Sequence, residues 1–194
     1  MTAARKLPPL MTVDDFLAWE GDGTPTRYEL VDGVLRAMAP GSLAHGVIQA
    51  KLIINIGNHL RAQQAPCVVV TTPGIRPLVR ADWNFRIPDV GVTCTPDRAG
   101  DRMMSDPVLL IEVLSPSNEQ DTYENIRAYA TLPTIVDLVV VHSTRTKVEL
   151  LRKGEGHVWP ANPTMFGVGE AVELASVGLT LPLTEIYMGT HLAG

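Results

Sequence analysis

The chain has 194 residues, of which 45% are hydrophobic and only 19% are charged. That composition excludes a disordered polypeptide, and no run reaches the roughly 18 consecutive apolar residues of a membrane-spanning helix, so we expect one globular domain over residues 1–194. The formal net charge of −5 disfavours a protein that coats nucleic acid through a global basic field, although a local basic patch or bound cations could still attract phosphates.

The N-terminal part of the chain predicts a helix and a hairpin. After a Pro8-Pro9 arm, Thr12 and Asp15 have the spacing of a capping box, so we expect a short helix that ends near residues 21–23. Two short β-type runs on either side of an Asp-Gly turn predict a β-hairpin over residues 28–38.

A long helix and two strands are predicted next. Apolar residues recur at helical spacing from 43 to 63, which indicates the longest amphipathic helix of the chain. The β-branched runs at 67–70 and 86–92 are strand candidates, and the polar stretch 95–107 predicts an exposed loop. The segment that connects the two strands contains three arginines, which we interpret as a solvated loop face: Arg76, Arg80 and Arg86.

The second half begins with the most continuously apolar run, residues 107–114. This run is typical of a central strand covered on both faces, yet it contains Glu112. A capping-box pattern at 117–120 predicts a helix that passes Tyr129 and stops before Pro133. The remaining predicted strands are 135–142 and 147–152.

The cysteines and the N-terminus bear on the cellular compartment. Cys67 and Cys94 are 27 residues apart in otherwise apolar surroundings, a spacing that indicates neither a disulfide framework nor a metal site, so we interpret both as buried thiols. The first ten residues lack the apolar segment of a signal peptide, which predicts a cytoplasmic protein.

Several chemical signatures are absent from the sequence. It has no glycine-rich nucleotide-binding loop, no Gly-x-Ser-x-Gly elbow and no His-Glu-x-x-His, so nucleotide-cofactor and hydrolase-triad functions lose most of their support. The five histidines have no metal-ligand spacing, and we interpret most of them as surface or packing residues.

Two acids interrupt apolar, strand-like segments. Asp89 lies in Arg-Ile-Pro-Asp-Val-Gly-Val, and Glu112 lies in Leu-Leu-Ile-Glu-Val-Leu-Ser. An isolated buried carboxylate is unfavourable, whereas two that converge on a divalent cation are compensated by its charge. Oxygen ligands of this kind suit Mg²⁺ or Mn²⁺. The alternative is that each acid caps backbone at a strand end or meets an arginine.

An ordered set of motifs surrounds these acids. In chain order they are Tyr-Glu-Leu-Val-Asp-Gly at 28–33, His45-Gly46, Ile-Pro-Asp-Val at 87–90, Ile-Glu-Val-Leu-Ser-Pro-Ser at 111–117, and Asp121 with Tyr129. The set resembles the Uma-two family of bacterial restriction endonucleases, whose fold belongs to the PD-(D/E)xK nuclease superfamily. The motifs run from about residue 12 to residue 142, and Glu-Val-Leu-Ser-Pro-Ser is the specific one.

The resemblance implies an α/β restriction-endonuclease-like core, with a mixed β-sheet flanked by helices, and metal-dependent hydrolysis of DNA phosphodiester bonds. By this analogy Asp89 and Glu112 are ligands of Mg²⁺ or Mn²⁺. Glu29 would be an additional acid, acting as a ligand or through water, and a solvent-facing hairpin carboxylate is the alternative. His45 could reach a phosphate or an acid, or have only a local role at the start of its helix.

The chain departs from the family pattern at its lysine. The superfamily position two residues after the glutamate is Leu114, and the position on the following helix where the Uma-two family usually has lysine is Asn125. Asp121, Asn125 and Tyr129 share one helical face, and Arg127 lies on another. Asparagine can bind a water but supplies no charge, so we expect Asn125→Lys to increase nuclease activity.

Three functional classes remain open. The first is a Mg²⁺- or Mn²⁺-dependent DNA endonuclease, expected as a homodimer because two-fold symmetry is the simplest way to cut both strands. The second is a catalytically weak member that keeps the nuclease fold as a scaffold for nucleic acid or a protein partner. The third, a structural domain with no nucleic-acid role, is favoured by the acidic pI of about 5.5.

Overall fold

The chain forms four α-helices and ten strands within residues 10–193, which are the residues that the computed structural model describes. The Pro8-Pro9 arm and most of the N-terminal stretch lie outside this range. The helices are α1 (Val13–Ala18), α2 (Leu43–Ala62), α3 (Glu119–Tyr129) and α4 (Leu183–Tyr187). The strands are β1 (Tyr28–Val31), β2 (Val34–Ala37), β3 (Val68–Thr71), β4 (Val90–Thr93), β5 (Pro107–Leu114), β6 (Asp137–His142), β7 (Val148–Arg152), β8 (Thr164–Phe166), β9 (Ala171–Leu174) and β10 (Leu179–Pro182).

Six of these strands, β3 to β8 in that spatial order, form a mixed central sheet. β5 and β6 are parallel, and the other neighbouring pairs of this sheet are antiparallel. A parallel pair needs a crossover connection, which α3 provides between β5 and β6. The prediction of a mixed α/β sheet flanked by helices is confirmed.

The two faces of β5 belong to different cores, because successive side chains of a strand point to opposite faces. The odd-numbered residues from Leu109 to Val113 pack in the core that contains the apolar stripe of α2. Leu110 and Leu114 pack in a second core with residues of α3. Glu112 has the parity of Leu110 and Leu114, so its side chain lies on the α3 side of the sheet.

The N-terminal hairpin is a separate two-stranded sheet. Its turn residues Asp32 and Gly33 have positive φ values of 50° and 85°, the conformation that an Asp-Gly hairpin turn requires. Leu30 and Phe85 exchange backbone hydrogen bonds of 2.8 and 2.9 Å, which join the hairpin to the segment before β4. These two residues also belong to a third core with Met11 and Val13. The predicted hairpin is therefore confirmed. The predicted long helix is confirmed as well, as α2.

Of the two predicted capping boxes, the structure contains one. The α1 capping box is present, with Thr12 and Asp15 bonded reciprocally, although α1 ends at Ala18. The capping box expected at 117–120 is wrong: the reciprocal pair is Ser115 with Asn118, in a 3₁₀ turn that precedes α3.

Within residues 10–193, every helix is too short or too polar to cross a membrane.

The cysteine interpretation is wrong. Cys67 and Cys94 form a disulfide and are only partly buried. Val68 pairs with Thr93 in the antiparallel β3–β4 ladder, so Cys67, directly before Val68, lies opposite Cys94, directly after Thr93. Register, which the spacing of two cysteines does not reveal, brings the sulfur atoms together.

The arginine segment is only partly a solvated face. Arg76 and Arg80 do lie on the loop, where Arg76 pairs with Asp82 of the loop and Arg80 pairs with Asp32 of the hairpin turn. Arg86 is instead buried, with 3% of its surface exposed, and its Nη1 donates to the Leu30 carbonyl at 3.1 Å. Arg86 pairs with Ile75 in an isolated β-bridge, and paired residues point to the same face. The Arg86 side chain therefore points inward, beneath the hairpin.

Candidate active site

A cavity of about 680 Å³ opens between the N-terminal hairpin, the start of α2 and the start of α3. It is lined by all four site residues that the sequence predicts, namely Glu29, Asp89, Glu112 and Asn125. Arg36, His45 and Asp121 also line it. Residues that are up to 96 positions apart in the sequence therefore meet in one space.

The two acids lie side by side, with Asp89 directly before β4 and Glu112 within β5. Val90 pairs with Ile111, so the antiparallel register places Asp89 next to Glu112. The backbone N–H of Val113 donates to Asp89 Oδ2 at 2.7 Å and fixes that carboxylate. His45, near the start of α2, brings Nε2 to 3.3 Å from the same oxygen. The contact with an acid, one of the roles left open for His45, is thus present.

Glu112 is a buried carboxylate whose side chain meets α3. Its Oε1 accepts a hydrogen bond from the Tyr129 hydroxyl at 2.9 Å and one from Asn125 Nδ2 at 3.3 Å. Burial, together with the negative charges of Asp89 and Glu29, raises the pKa of Glu112 well above its usual range, although these two hydrogen bonds partly offset the rise. Burial and the charge of Glu112 likewise raise the pKa of Tyr129.

Glu29 is buried in the hairpin, so the solvent-facing alternative is wrong. Its Oε1 accepts the backbone N–H of Ile87 at 2.7 Å, and its Oε2 accepts from Arg36 Nη2 at 2.8 Å. Asn125 Nδ2 lies 3.3 and 3.4 Å from the two oxygens. Both oxygens of Glu29 are therefore occupied by donors of the protein itself.

The positive charge that the family pattern places on α3, as a lysine, is supplied here by Arg36 of the hairpin. Arg36 Nη1 contacts Asp121 Oδ1 at 3.0 Å and Glu124 Oε2 at 2.9 Å, and its Nη2 contacts Glu29 and Asn125. Sequence reasoning missed this residue, although a signal existed. A two-residue Asp-Gly turn sets the hairpin register, and that register pairs Glu29 with Arg36.

The helical face of α3 is turned to the cavity as its spacing suggests. Asp121 and Asn125 contact Arg36, and Tyr129 contacts Glu112. Arg127 is exposed on another face. A second cation lies behind the first: Arg86 Nη2 is 3.4 Å from Glu124, the acid that also holds Arg36.

The donor set limits what this cavity can bind. Among the described residues, no three His, Cys, Asp or Glu side chains are arranged to hold a metal ion together. Asp89 and Glu112 thus form a set of two carboxylates. Within residues 10–193, Asp89 Oδ1 and Glu112 Oε2 accept no hydrogen bond, so each acid keeps one oxygen for a ligand.

The fold and the cavity define a class, an α/β protein with a mixed central sheet and two neighbouring acids at β4 and β5 that face one cavity. The structure matches a crystal structure from Anabaena variabilis, described as "a putative nuclease belonging to DUF820", with a TM-score of 0.74 and 17% identity over 91% of this chain and 97% of that one. This likeness shows the shared fold.

Sequence comparison then identifies the family. "Uncharacterized protein slr1290" of Synechocystis sp. is 32% identical to this chain over 183 residues, which is 93% of either protein. The model of the Uma2 family, described as "Putative restriction endonuclease", matches residues 13–184. The chain belongs to the Uma2 family.

Proposed function

We propose that this protein is a Mg²⁺- or Mn²⁺-dependent endonuclease that hydrolyses DNA phosphodiester bonds in the cavity described above. The observation that carries the proposal is the placement of Asp89, directly before β4, next to Glu112 on β5, each with one oxygen free, in a cavity open to solvent. Membership of a family described as restriction endonucleases supports the same chemistry.

The residues fit a hard divalent cation. Mg²⁺ is commonly bound through one or two carboxylates and completes its shell with waters and substrate phosphates, so a third acid is not required. The raised pKa of Glu112 reflects a negative charge that the protein alone compensates poorly. Asp89 and Glu112 would hold the ion, which when bound would offset phosphate charge and make a water more acidic.

The other cavity residues have separate tasks. His45 and the Val113 N–H hold one oxygen of Asp89, which leaves the other directed at the ligand. Tyr129 and Asn125 do the same for Glu112. Glu29 cannot easily be a direct ligand because its oxygens are occupied, so in this proposal it anchors Arg36.

Charge determines how the protein meets its substrate. With a net charge of −5 and acids in the cavity, DNA binding should be weak without a cation and should strengthen when Mg²⁺ or Mn²⁺ is added. A homodimer is part of the proposal, since one site per chain cuts one strand. Light scattering with and without a DNA duplex tests the dimer.

Plasmid cleavage at low salt, with each divalent cation in turn, tests the proposal. Wild type should cut with Mg²⁺ or Mn²⁺, and calorimetry should detect binding of the ion. The double variant Asp89→Ala/Glu112→Ala should lose both while remaining folded, because it removes a buried acid and a partly buried acid that repel each other. Glu149→Gln is the matched control, a buried acid on β7 that does not line the cavity.

The outcomes separate the functional classes. Cleavage that persists in the double variant would show that the activity lies elsewhere. Metal binding without cleavage by wild type would favour the scaffold, which recognises nucleic acid or a protein partner without cutting. That alternative is motivated by Asn125, which supplies no charge, and by Arg36, whose Nη groups all face protein acceptors.

A further inference from the structure

We propose that Arg36 is a positioning residue that orients the Asn125 side-chain amide so that its N–H groups point at Glu112 and Glu29. The inference rests on the proposed function for its catalytic consequence, because the orientation of Glu112 matters to the reaction only if Glu112 takes part in it. The orientation itself is a property of the metal-free protein and can be measured separately.

The guanidinium of Arg36 is held by two other elements at once. It starts from β2, pairs with Glu29 on β1, and reaches Asp121, Glu124 and Asn125 on α3. All four contacts are 3.0 Å or shorter. Burial alone lowers the pKa of Arg36, but Glu29, Asp121 and Glu124 outweigh it and raise the pKa, so the group stays charged.

An asparagine amide has one acceptor end and one donor end, and Arg36 fixes the acceptor end on the side away from the acids. Arg36 only donates, so Asn125 Oδ1, at 2.6 Å, must accept from it. The Nδ2 end is thereby turned to Glu112 Oε1 at 3.3 Å and to Glu29. Without the guanidinium, Oδ1 loses its donor and the amide is held from the Nδ2 side alone, so its rotation becomes easier.

The consequence reaches the cavity through Glu112. Asn125 and Tyr129 both donate to Oε1, which leaves Oε2 directed into the open space. Loss of one of these donors allows the carboxylate to rotate. Misplacement by about 1 Å of a group that holds reacting atoms is enough for a loss of about 10²-fold in rate.

A simpler role for Arg36 is mechanical, as a tie between the hairpin and α3. Asn125→Ala separates the two roles. It leaves Arg36 bound to Glu29, Asp121 and Glu124 and so keeps the tie, but it removes the donor to Glu112 without adding a charge beside the acids. A tie alone predicts no loss of kcat from this change, whereas the positioning role predicts a loss of kcat of at least about tenfold with little change in KM.

The orientation is measured by the side-chain NH₂ signals of uniformly ¹⁵N-labelled, metal-free protein. Asn125→Ala identifies the Asn125 pair of signals by deleting it. In wild type this pair should exchange slowly with solvent because both N–H groups face carboxylates. Arg36→Met should accelerate its exchange at least about tenfold, which corresponds to loss of about 1.4 kcal/mol of protection.

Two further variants complete the experiment. Arg80→Met removes an arginine that pairs with Asp32 in the same hairpin at 3.1 Å but lies outside the cavity, so it should leave the Asn125 signals unchanged. Arg36→Lys serves if Arg36→Met does not fold. One ammonium cannot reproduce a four-contact fork, so exchange should accelerate here too.

Unchanged Asn125 exchange in both Arg36 variants would overturn the proposal, even in an active nuclease. Accelerated exchange with full plasmid cleavage would also overturn it, since the orientation would then be irrelevant to the reaction. A wild type inactive with every cation, but with the expected exchange behaviour, would reject the proposed function and retain the assignment of Arg36 as the residue that orients the amide.

Discussion

Replacement of Glu112 by glutamine should stabilise the metal-free protein. The carbonyl oxygen of the new side chain could still accept from Tyr129 and Asn125, while its amide nitrogen would replace the oxygen that has no donor in the cavity shared with Asp89. A buried charge under repulsion is thereby exchanged for a neutral donor. We expect a gain of about 1–3 kcal/mol in the free energy of unfolding, the range for relieving one poorly compensated buried polar group.

The gain should depend on pH with a definite sign. Burial, then Asp89 and Glu29, raise the pKa of Glu112, so the folded protein binds this proton more tightly than the unfolded chain does. The stability that protonated Glu112 contributes is complete below the usual glutamate range and is lost as the pH rises through the raised pKa. Glutamine does not titrate, so the difference between variant and wild type should grow across that window.

Urea denaturation in a chelating buffer, at mildly acidic and at neutral pH, measures the effect. The matched control is Glu149→Gln, because Glu149 is equally buried but accepts from Lys147, His142 and Tyr123. Burial alone raises the pKa of Glu149, yet these hydrogen bonds together lower it, so its replacement should destabilise by about 1–3 kcal/mol. Destabilisation by Glu112→Gln at neutral pH would refute the reasoning.

Three other variants extend these tests. Tyr129→Phe removes the buried 2.9 Å hydrogen bond to Glu112 and should lower the free energy of unfolding by about 1 kcal/mol in the same urea assay, and no change would show that the hydroxyl is replaceable. Leu52→Ala, at the centre of the α2 stripe and 1% exposed, should destabilise by about 2–5 kcal/mol, and a smaller loss would mean that α2 relaxes into the space. Asn125→Lys would bring an ammonium beside Arg36, and the two cations would repel each other. We therefore expect the increase in plasmid cleavage suggested by the family pattern to occur only when Arg36→Met is also present. A clear increase from Asn125→Lys alone would contradict this.

The elements that carry the site were accessible from sequence because their signals are local. The Asp-Gly turn predicts β1 and β2, the apolar repeat predicts α2, and the uninterrupted run around Glu112 predicts a central strand. Period-two alternation even assigns Glu112 to one face of β5. These are statements about neighbours along the chain, which sequence patterns describe directly.

The partners of Arg36 could not be found in the same way. Its contacts to Asp121, Glu124 and Asn125 span 85 to 89 positions, and they depend on where the hairpin docks. The burial of Arg86 and the Cys67–Cys94 disulfide were missed for a related reason. Each follows from pairing or register between distant segments, whereas the interpretations rested on composition and cysteine spacing alone.

The N-terminal hairpin forms no strand of the central sheet, yet it supplies both Glu29 and Arg36 to the cavity. Its attachment depends on a third, smaller core, on the contacts of Arg36 with α3, and on a few hydrogen bonds such as those between Leu30 and Phe85. Small, peripheral units of this kind commonly open at lower free energy than the sheet on which they rest. A moderate denaturant concentration could therefore detach the hairpin and dismantle the site while β3 to β8 remain folded, so that loss of function and loss of structure would occur as two separate transitions.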